Sequence, residues 1–372
     1  MLLGIDASRT TVKRFTGTEI YGLHLTHELL KRGDGHRFRL YFRDDPPADL
    51  FEQAAHVERR VIRTPRLWTH VGLRGELRRD PPDAIFIPAH VVPLRPPVPT
   101  VVTVHDLGYL YFPETHPLRD RLYLDWSTRH SARAAAGVIA DSESTKRDLV
   151  ERYHVPPGKI TVAYPGVNPA LKPVHDPAAL AAVRQRYHLP ERYVLHVGTL
   201  QPRKNLSRLV SAYARLRGQL PAPPALVLAG GKGWLYDDLF RQVEDLGLAG
   251  QVIFPGHVPP DHNLAAMYSA AQLYVFPSLF EGFGFPVVEA MRCQTPVVCS
   301  NTTSLPELAG DAALTVPPTD VDALAEAMLR VLTDEDLRRE MVERGMVQAT
   351  RFTWEACADA VWGVLERAAR EG

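Results

Sequence analysis

The sequence predicts an α/β protein of two doubly wound, Rossmann-like domains. Three observations carry this. The chain has 372 residues, more than one hydrophobic core ordinarily organises. Short apolar runs alternate with helical patterns along its whole length, as parallel strands joined by crossover helices do. A proline-dense connector, YPGVNPALKPVHDP at 164–177, reads as the linker between two such series.

The elements follow in chain order. LLGI at 2–5 is the first strand; with no basic start and no long apolar stretch, it reads as a buried strand and not as a signal peptide. A helix is expected over 18–32. Strands follow at 38–42 (FRLYF), 84–87 (AIFI), 100–104 (TVVTV) and 138–140 (VIA), with a helix at 142–153. Residues 1–170 make the expected first domain and 171–354 the second. In the second, strands fall at 193–197 (YVLHV), 225–229 (ALVLA), 252–254 (VIF), 273–276 (LYVF) and 296–299 (PVVC). Helices are expected near 206–217, 235–246, 264–270 and 287–292. A last helix near 358–369, within 355–372, is expected to pack back on the first domain. In open α/β sheets ligands bind in the crevice beyond the strand C-terminal ends, so residues just after strands are the candidates for function.

Composition excludes several classes. Apolar residues are 45% and charged residues 23%, ordinary for a globular protein, and no run approaches the ~18 apolar residues of a membrane span. Cys293, Cys299 and Cys357 form no C-x-x-C pair, which argues against zinc and for a reducing, cytoplasmic compartment. Net charge is zero, which argues against nucleic acid as a partner. The balance is uneven: 24 Lys+Arg against 20 Asp+Glu up to Ala170, leaving 19 against 23 beyond it. Seven arginines lie between Arg59 and Arg79. They read either as a solvated face or as a patch for an anionic lipid-linked acceptor or the inner leaflet of a membrane.

The chemistry concentrates after strands. GTLQPRKN, from Gly198, places Thr199 and then the adjacent cations Arg203 and Lys204 between a strand and a helix start. Gly198 lets backbone approach a ligand, the helix start adds N–H donors, and two cations can cradle a diphosphate. FPSLFEGFGFPVVEAMRCQTPVV sets Glu281 and Glu289 eight positions apart, around a glycine turn at Gly282 and Gly284. Such a turn aims N–H groups at a ligand. Glu281 is expected on the loop and Glu289 in the first turn of the helix, each able to accept from sugar or ribose hydroxyls. His105 and Asp106 end the strand at 100–104, and Gly17 precedes a helix opening where a phosphate can meet backbone N–H groups. His24, His27 and Glu28 share a helical face without an H-E-x-x-H pattern, which favours a structural role over a metal site. AGGKGW at 229–234 lacks a P-loop ending; there is no G-x-G-x-x-G and no G-x-S-x-G.

These strings together resemble glycosyltransferase family 4, the retaining enzymes of GT-B fold. The likeness spans nearly the whole chain: VTVHDLGYL, DSESTKRDLVERYHVPPGKITVAYPGVN, YVLHVGTLQPRKNLSRLVSAY, LVLAGGKGW and the Glu-x7-Glu stretch from Glu281. The resemblance implies that Arg203 and Lys204 hold the donor diphosphate, Glu281 the transferring sugar and Glu289 the ribose. The backbone of Phe283, Gly284 and Phe285 would meet sugar and phosphate, His105 would lie beside the sugar, and Gly17 beside the β-phosphate. HDLGYLYFPETHP is similar to the bacterial mannosyltransferase-type members, which favours GDP-mannose as donor, with UDP-glucose next. The implied acceptor is a saccharide or lipid-linked saccharide, and no resident cofactor or metal is called for. Two D-x-D strings, at Asp320 and Asp334, read as helix caps and not as metal ligands. The rival readings are a sugar-nucleotide epimerase of the same architecture and a non-catalytic scaffold.

Overall fold

The computed structural model describes residues 1–12, 17–33, 35–51, 54–64, 66–89, 91–113, 117–231, 233 and 237–372. Parts of RFTGTEIY, of HDLGYLYFPETHP and of AGGKGW, with the start expected for the 235–246 helix, lie outside them. The chain divides into two compact units, one of residues 1–166 with 353–372, the other of residues 167–352. The stretch between Tyr164 and Asp176 has no regular helix or strand.

The first unit holds β1 (Leu2–Asp6), α1 (Gly17–Leu30), β2 (Arg37–Phe42), β3 (Val57–Val61), α2 (Arg74–Arg79), β4 (Ala84–Ile87), β5 (Thr100–Val104), α3 (Gly108–Tyr111), α4 (Leu118–Ala134), β6 (Gly137–Ala140), α5 (Glu143–Tyr153) and β7 (Ile160–Val162). Its seven strands are all parallel, in the order β3-β2-β1-β4-β5-β6-β7. The inner strands are buried and largely apolar because helices cover both faces, and a buried cation among them, Arg39 of β2, pairs with Glu58 and Asp80. The last helix, Trp354–Glu371, returns to this unit and lies across β4 to β7 and against α1. It buries Cys357, Ala358, Val361, Val364, Leu365 and Ala368. Ser142 caps α5, accepting from the Thr145 N–H at 3.0 Å, so the expected helix at 142–153 begins one residue later.

The second unit holds α6 (Pro177–Tyr187), β8 (Tyr193–Val197), α7 (Leu206–Arg217), β9 (Ala225–Ala229), α8 (Asp237–Asp245), β10 (Val252–Gly256), α9 (His262–Ser269), β11 (Leu273–Phe276), α10 (Phe285–Arg292), β12 (Val297–Ser300), α11 (Leu305–Ala309), β13 (Ala313–Val316), α12 (Val321–Thr333) and α13 (Glu335–Ala349). Its six strands are parallel, in the order β10-β9-β8-β11-β12-β13. β8 pairs with both β9 and β11, so the strand order reverses between β8 and β11. That reversal splays the connections apart and leaves a crevice at the strand C-terminal ends.

Three strands lie beyond those the apolar runs indicated: β3, β7 and β13. All three are sheet edges, where one side meets no neighbour and the continuous apolar run is not required. β3, VERRV, carries the first two residues of the arginine cluster. Arg60 pairs with Glu58 and Asp80, Arg63 with Asp45, and Arg79 with Glu76, so much of that cluster is neutralised by its neighbours. Asp320 and Asp334 cap α12 and α13, accepting from Ala323 and Leu337 N–H at 2.9 Å each. Their D-x-D partners Asp322 and Asp336 pair with Arg215 and Arg339. His24 stacks on Trp354 at 5.2 Å and His27 meets Phe51 at 4.8 Å, the packing role expected of that face.

Candidate active site

The loops after β8 and β11 flank the reversal of strand order in the second unit. β8 runs into Gly198, Thr199 and Leu200, and this loop is stitched to the segment after β9. Gly198 N–H donates to Ala229 O (2.9 Å), Leu200 N–H to Gly231 O (3.0 Å), and Gly233 N–H to Leu200 O (3.1 Å). The approach demands glycine at 230, where a Cβ would stand 1.8 Å from Gly198 O. Asn205 then turns the chain into α7 with a left-handed φ of 61°. Its amide donates to the carbonyls of Pro277 (2.9 Å) and Pro318 (2.6 Å). Leu279 N–H donates to Arg203 O at 2.9 Å. The two motifs, 77 residues apart, are thus bound by backbone and by Asn205 before any charge is considered.

Three predicted residues meet here. Arg203 Nη1 is 2.8 Å from Glu281 Oε2, and Lys204 Nζ is 2.6 Å from Glu281 Oε1. Each carboxylate oxygen therefore takes one cation. Arg203 also donates to Phe280 O, and the Lys204 ammonium stands 4.6 Å from the centre of the Phe276 ring. Lys204 and Glu281 are both buried. Burial alone would raise the Glu281 carboxyl, but Arg203 and Lys204 outweigh it and hold it at about 2. Beneath them His196 is fully buried against Phe276 and Tyr274. Its Nδ1 faces Val275 O at 3.0 Å, and burial pushes it down to about 4, so the ring adds no charge.

The glycine turn is held from behind. Glu281 N–H donates to Thr303 Oγ1 at 3.2 Å, and the Ser304 hydroxyl is shared between the carbonyls of Glu281 and Phe283. Gly284 caps α10 at φ 113°, and a Cβ there would meet Leu305 Cδ2 at 2.8 Å. Phe283 and Phe285 pack edge to face at 5.0 Å, and Phe283 also meets Phe352. Because α10 opens at Phe285, Glu289 is its fifth residue and sits one turn deeper than the first turn expected for it. There it is half-buried and accepts from Tyr268 Oη at 3.0 Å. Burial dominates over that bond and pushes its carboxyl up to about 7. The two glutamates are therefore electrostatic opposites: one fixed as an anion, the other titrating near neutrality.

His105 and Gly17 belong to the first unit. Gly17 opens α1, and one turn on Tyr21 packs edge-on against the His105 ring at 4.9 Å. His105 Nδ1 lies 2.6 Å from Asp141 Oδ2, and Nε2 lies 2.9 Å from Pro88 O. Both partners can accept, an arrangement that favours protonation of both ring nitrogens. Burial works against the charge, but Asp141 outweighs it and raises the pKa above the ordinary value. Asp106 caps the next turn, accepting from Gly108 N–H at 2.8 Å.

Sequence reasoning passed over Asp141, Tyr268 and Ser304. Asp141 follows β6 as His105 follows β5, and the strand-end rule applied to β6 finds it. Tyr268 lies in α9 with the spacing of an ordinary core residue, and Ser304 in a turn before α11; neither carries a sequence signal.

The chain is similar to known proteins in sequence and in fold. The family described as Glycosyl transferases group 1 matches residues 183–347, and Glycosyltransferase Family 4 matches 15–171. An O-antigen chain mannosyltransferase B of Escherichia coli is 38% identical over 259 residues, 69% of this chain and 67% of that protein. The chain belongs to glycosyltransferase family 4. Serotype-specific mannosyltransferase WbdA of Escherichia coli is 31% identical over 275 residues; that match covers 73% of this family 4 chain but only about a third of WbdA, 33%. Among solved structures, sucrose-phosphate synthase from Thermosynechococcus elongatus superposes with a TM-score of 0.75 at 24% identity, covering 100% of this chain and 99% of the other. The fold is GT-B, two Rossmann-like domains in one chain. Family 4 membership makes the protein a glycosyltransferase.

Proposed function

We propose that the protein is a retaining mannosyltransferase that uses GDP-mannose to extend a saccharide or lipid-linked saccharide in bacterial polysaccharide synthesis. The observation that carries this is the convergence of Arg203 and Lys204 on one ionised carboxylate at the strand reversal of a family 4 chain. The mannosyltransferase names of its relatives support mannose, and UDP-glucose is the next donor to try.

The roles are those that the resemblance to family 4 implies, and the charges of the site are compatible with them. Arg203 and Lys204 take the donor diphosphate, and Gly198 and Thr199 bring backbone to it. Glu281, held ionised by the two cations, accepts from a hydroxyl of the transferring sugar. The backbone of Phe283, Gly284 and Phe285 meets sugar and phosphate, and Glu289 accepts from ribose hydroxyls. For the first unit, the family resemblance assigns Gly17 to the β-phosphate and His105 to the sugar. As the bond between sugar C1 and the phosphate oxygen breaks, its electron pair stays on the diphosphate. Arg203 and Lys204 stabilise the negative charge that grows there. The leaving phosphate oxygen then takes the proton of the acceptor hydroxyl as that hydroxyl attacks C1 from the same face. Two cations at the diphosphate make a divalent ion redundant and repel it.

The test is a panel of nucleotide sugars assayed for hydrolysis and transfer, in EDTA and in added Mg²⁺. Turnover is expected with GDP-mannose above the others and in EDTA. Lys204→Ala is expected to lower kcat by about 10²-fold with the fold intact. Wild-type turnover in Lys204→Ala, or activity abolished by EDTA and restored by metal, overturns the assignment. Release of an altered nucleotide sugar without acceptor identifies an epimerase instead.

A further inference from the structure

The loop after β12 closes on the turn that carries Glu281, since β12 lies beside β11 in the sheet. It grips that turn by three backbone groups. Thr303 Oγ1 accepts from Glu281 N–H at 3.2 Å, and the Ser304 hydroxyl lies against the carbonyls of Glu281 and Phe283. Thr303 Oγ1 donates its own proton to Thr302 O at 2.7 Å, which leaves its lone pairs to the Glu281 amide. Thr303 makes these bonds in a conformation that its side chain resists. Its φ is 57°, where a branched Cβ crowds the backbone. Seven non-glycine residues among those described have positive φ, and Thr303 is the β-branched one. His154 and His188 close α5 and α6, a usual place for a left-handed residue, and Asn205 is of a type that tolerates the region. Thr303 instead stands ahead of a helix, α11, where glycine or asparagine would sit with less strain. Strained residues persist where their surroundings over-determine them, and they gather at functional sites.

We propose that Thr303 is a positioning residue for the donor sugar: its hydroxyl fixes the Glu281 peptide and, through it, the carboxylate. Glu281 is then set from two sides, its backbone by the loop after β12 and its carboxylate by Arg203 and Lys204 from the loop after β8. The oxygen of Thr303 acts, and its methyl branch carries the strain. The inference rests on the proposed function in taking Glu281 as the acceptor of a sugar hydroxyl.

Four side chains at 303 separate the two properties. Threonine has hydroxyl and branch, serine the hydroxyl alone, valine the branch alone and alanine neither. Donor kcat/KM with GDP-mannose is expected to follow the hydroxyl. Thr303→Ser should stay near wild type, while Thr303→Ala and Thr303→Val fall about tenfold, the worth of one hydrogen bond. Affinity for free GDP, which has no sugar to place, should be unchanged in all of them. Melting should follow the branch instead, with Thr303→Ser above wild type and Thr303→Ala above Thr303→Val. Hydrogen exchange at the Glu281 amide should quicken in Thr303→Ala and Thr303→Val and stay slow in Thr303→Ser. A purely structural Thr303 would move turnover and melting together. If Thr303→Val does not fold, Thr303→Ser against Thr303→Ala still isolates the hydroxyl on an unbranched side chain. Wild-type turnover or a protected Glu281 amide in Thr303→Ala overturns the inference. So does a Thr303→Ser variant that loses activity or melts below wild type. A wild type that turns over no nucleotide sugar would instead refute the proposed function, and exchange and melting would still decide whether Thr303 holds Glu281.

Discussion

At the scale of single residues, the site is organised by what burial does to two carboxyls of one motif. Glu281 has two cations and is an anion at any working pH; Glu289 has only a tyrosine hydroxyl and titrates at about 7. The folded protein binds the Glu289 proton more tightly than the unfolded chain, whose carboxyl titrates near 4.5. Its contribution to stability is therefore fully present below about pH 4.5 and is lost as pH rises to about 7. Glu289→Gln should melt above wild type at pH 8 and should lose that advantage at pH 4. Ribose hydroxyls favour the ionised form, so wild-type affinity for free nucleotide should weaken as pH falls below about 7, and the Gln variant should show no such slope. Calorimetry at pH 6 and pH 8 measures it, and parallel slopes in the two proteins would sink the assignment to ribose. The cations and both glutamates were legible because each follows a strand or a glycine turn. Tyr268, which sets the Glu289 environment, was not, because a tyrosine on a helix reads the same whether it packs or donates.

Among the elements, close approach of two strand-end loops is the feature that shapes the proposed donor site. Gly230 and Gly231 are neighbours, yet a Cβ on Gly230 would strike Gly198 O while one on Gly231 would meet nothing within 4 Å. Gly230→Ala must push the 198–200 loop away and should cost about 1–3 kcal/mol, as overpacking does, and raise the donor KM. Gly231→Ala should do neither. Thermal melts and donor titrations compare them, and equal effects at the two positions would contradict the loop-contact account. The inner strands were legible as apolar runs, since each is covered on both faces. Of the edge strands only β10 was, through VIF at 252–254; β3, β7 and β13 were not, and VERRV at β3 reads as a charged loop. α4 was missed for a different reason: Leu118, Leu122 and Trp126 are exposed, Leu124 is only partly buried against the core, and the fully buried residues are serine, threonine and alanine. The helical spacing of Leu118, Leu122 and Trp126 is present, but it marks the solvent face of α4 and not its core face.

On the scale of the whole molecule, the decisive feature is that the first unit is closed by the last twenty residues of the chain. The linker and the alternation of elements were readable from sequence, and so was a final helix that could return. Its expected span, within 355–372, agrees with the observed Trp354–Glu371 to within a residue at each end. Val361, Val364 and Leu365 are buried against β4 to β7 and α1, and their burial is worth about 5 kcal/mol or more. That is comparable to the whole stability of a small domain. Deleting 353–372 should leave the first unit aggregation-prone while the second unit keeps its sheet. Limited proteolysis should then spare a fragment near 167–352, and a soluble, fully protease-resistant truncate would argue otherwise. A ribosome delivers a chain from its N-terminus, and domains ordinarily fold in that order. Here the second unit, unbroken in sequence, can complete its core while the first still lacks its final helix. The half of the protein made first is finished last. Until residues 353–372 have left the ribosome, β4 to β7 wait without the helix that covers them, an apolar surface open to whatever chaperone stands at the exit tunnel.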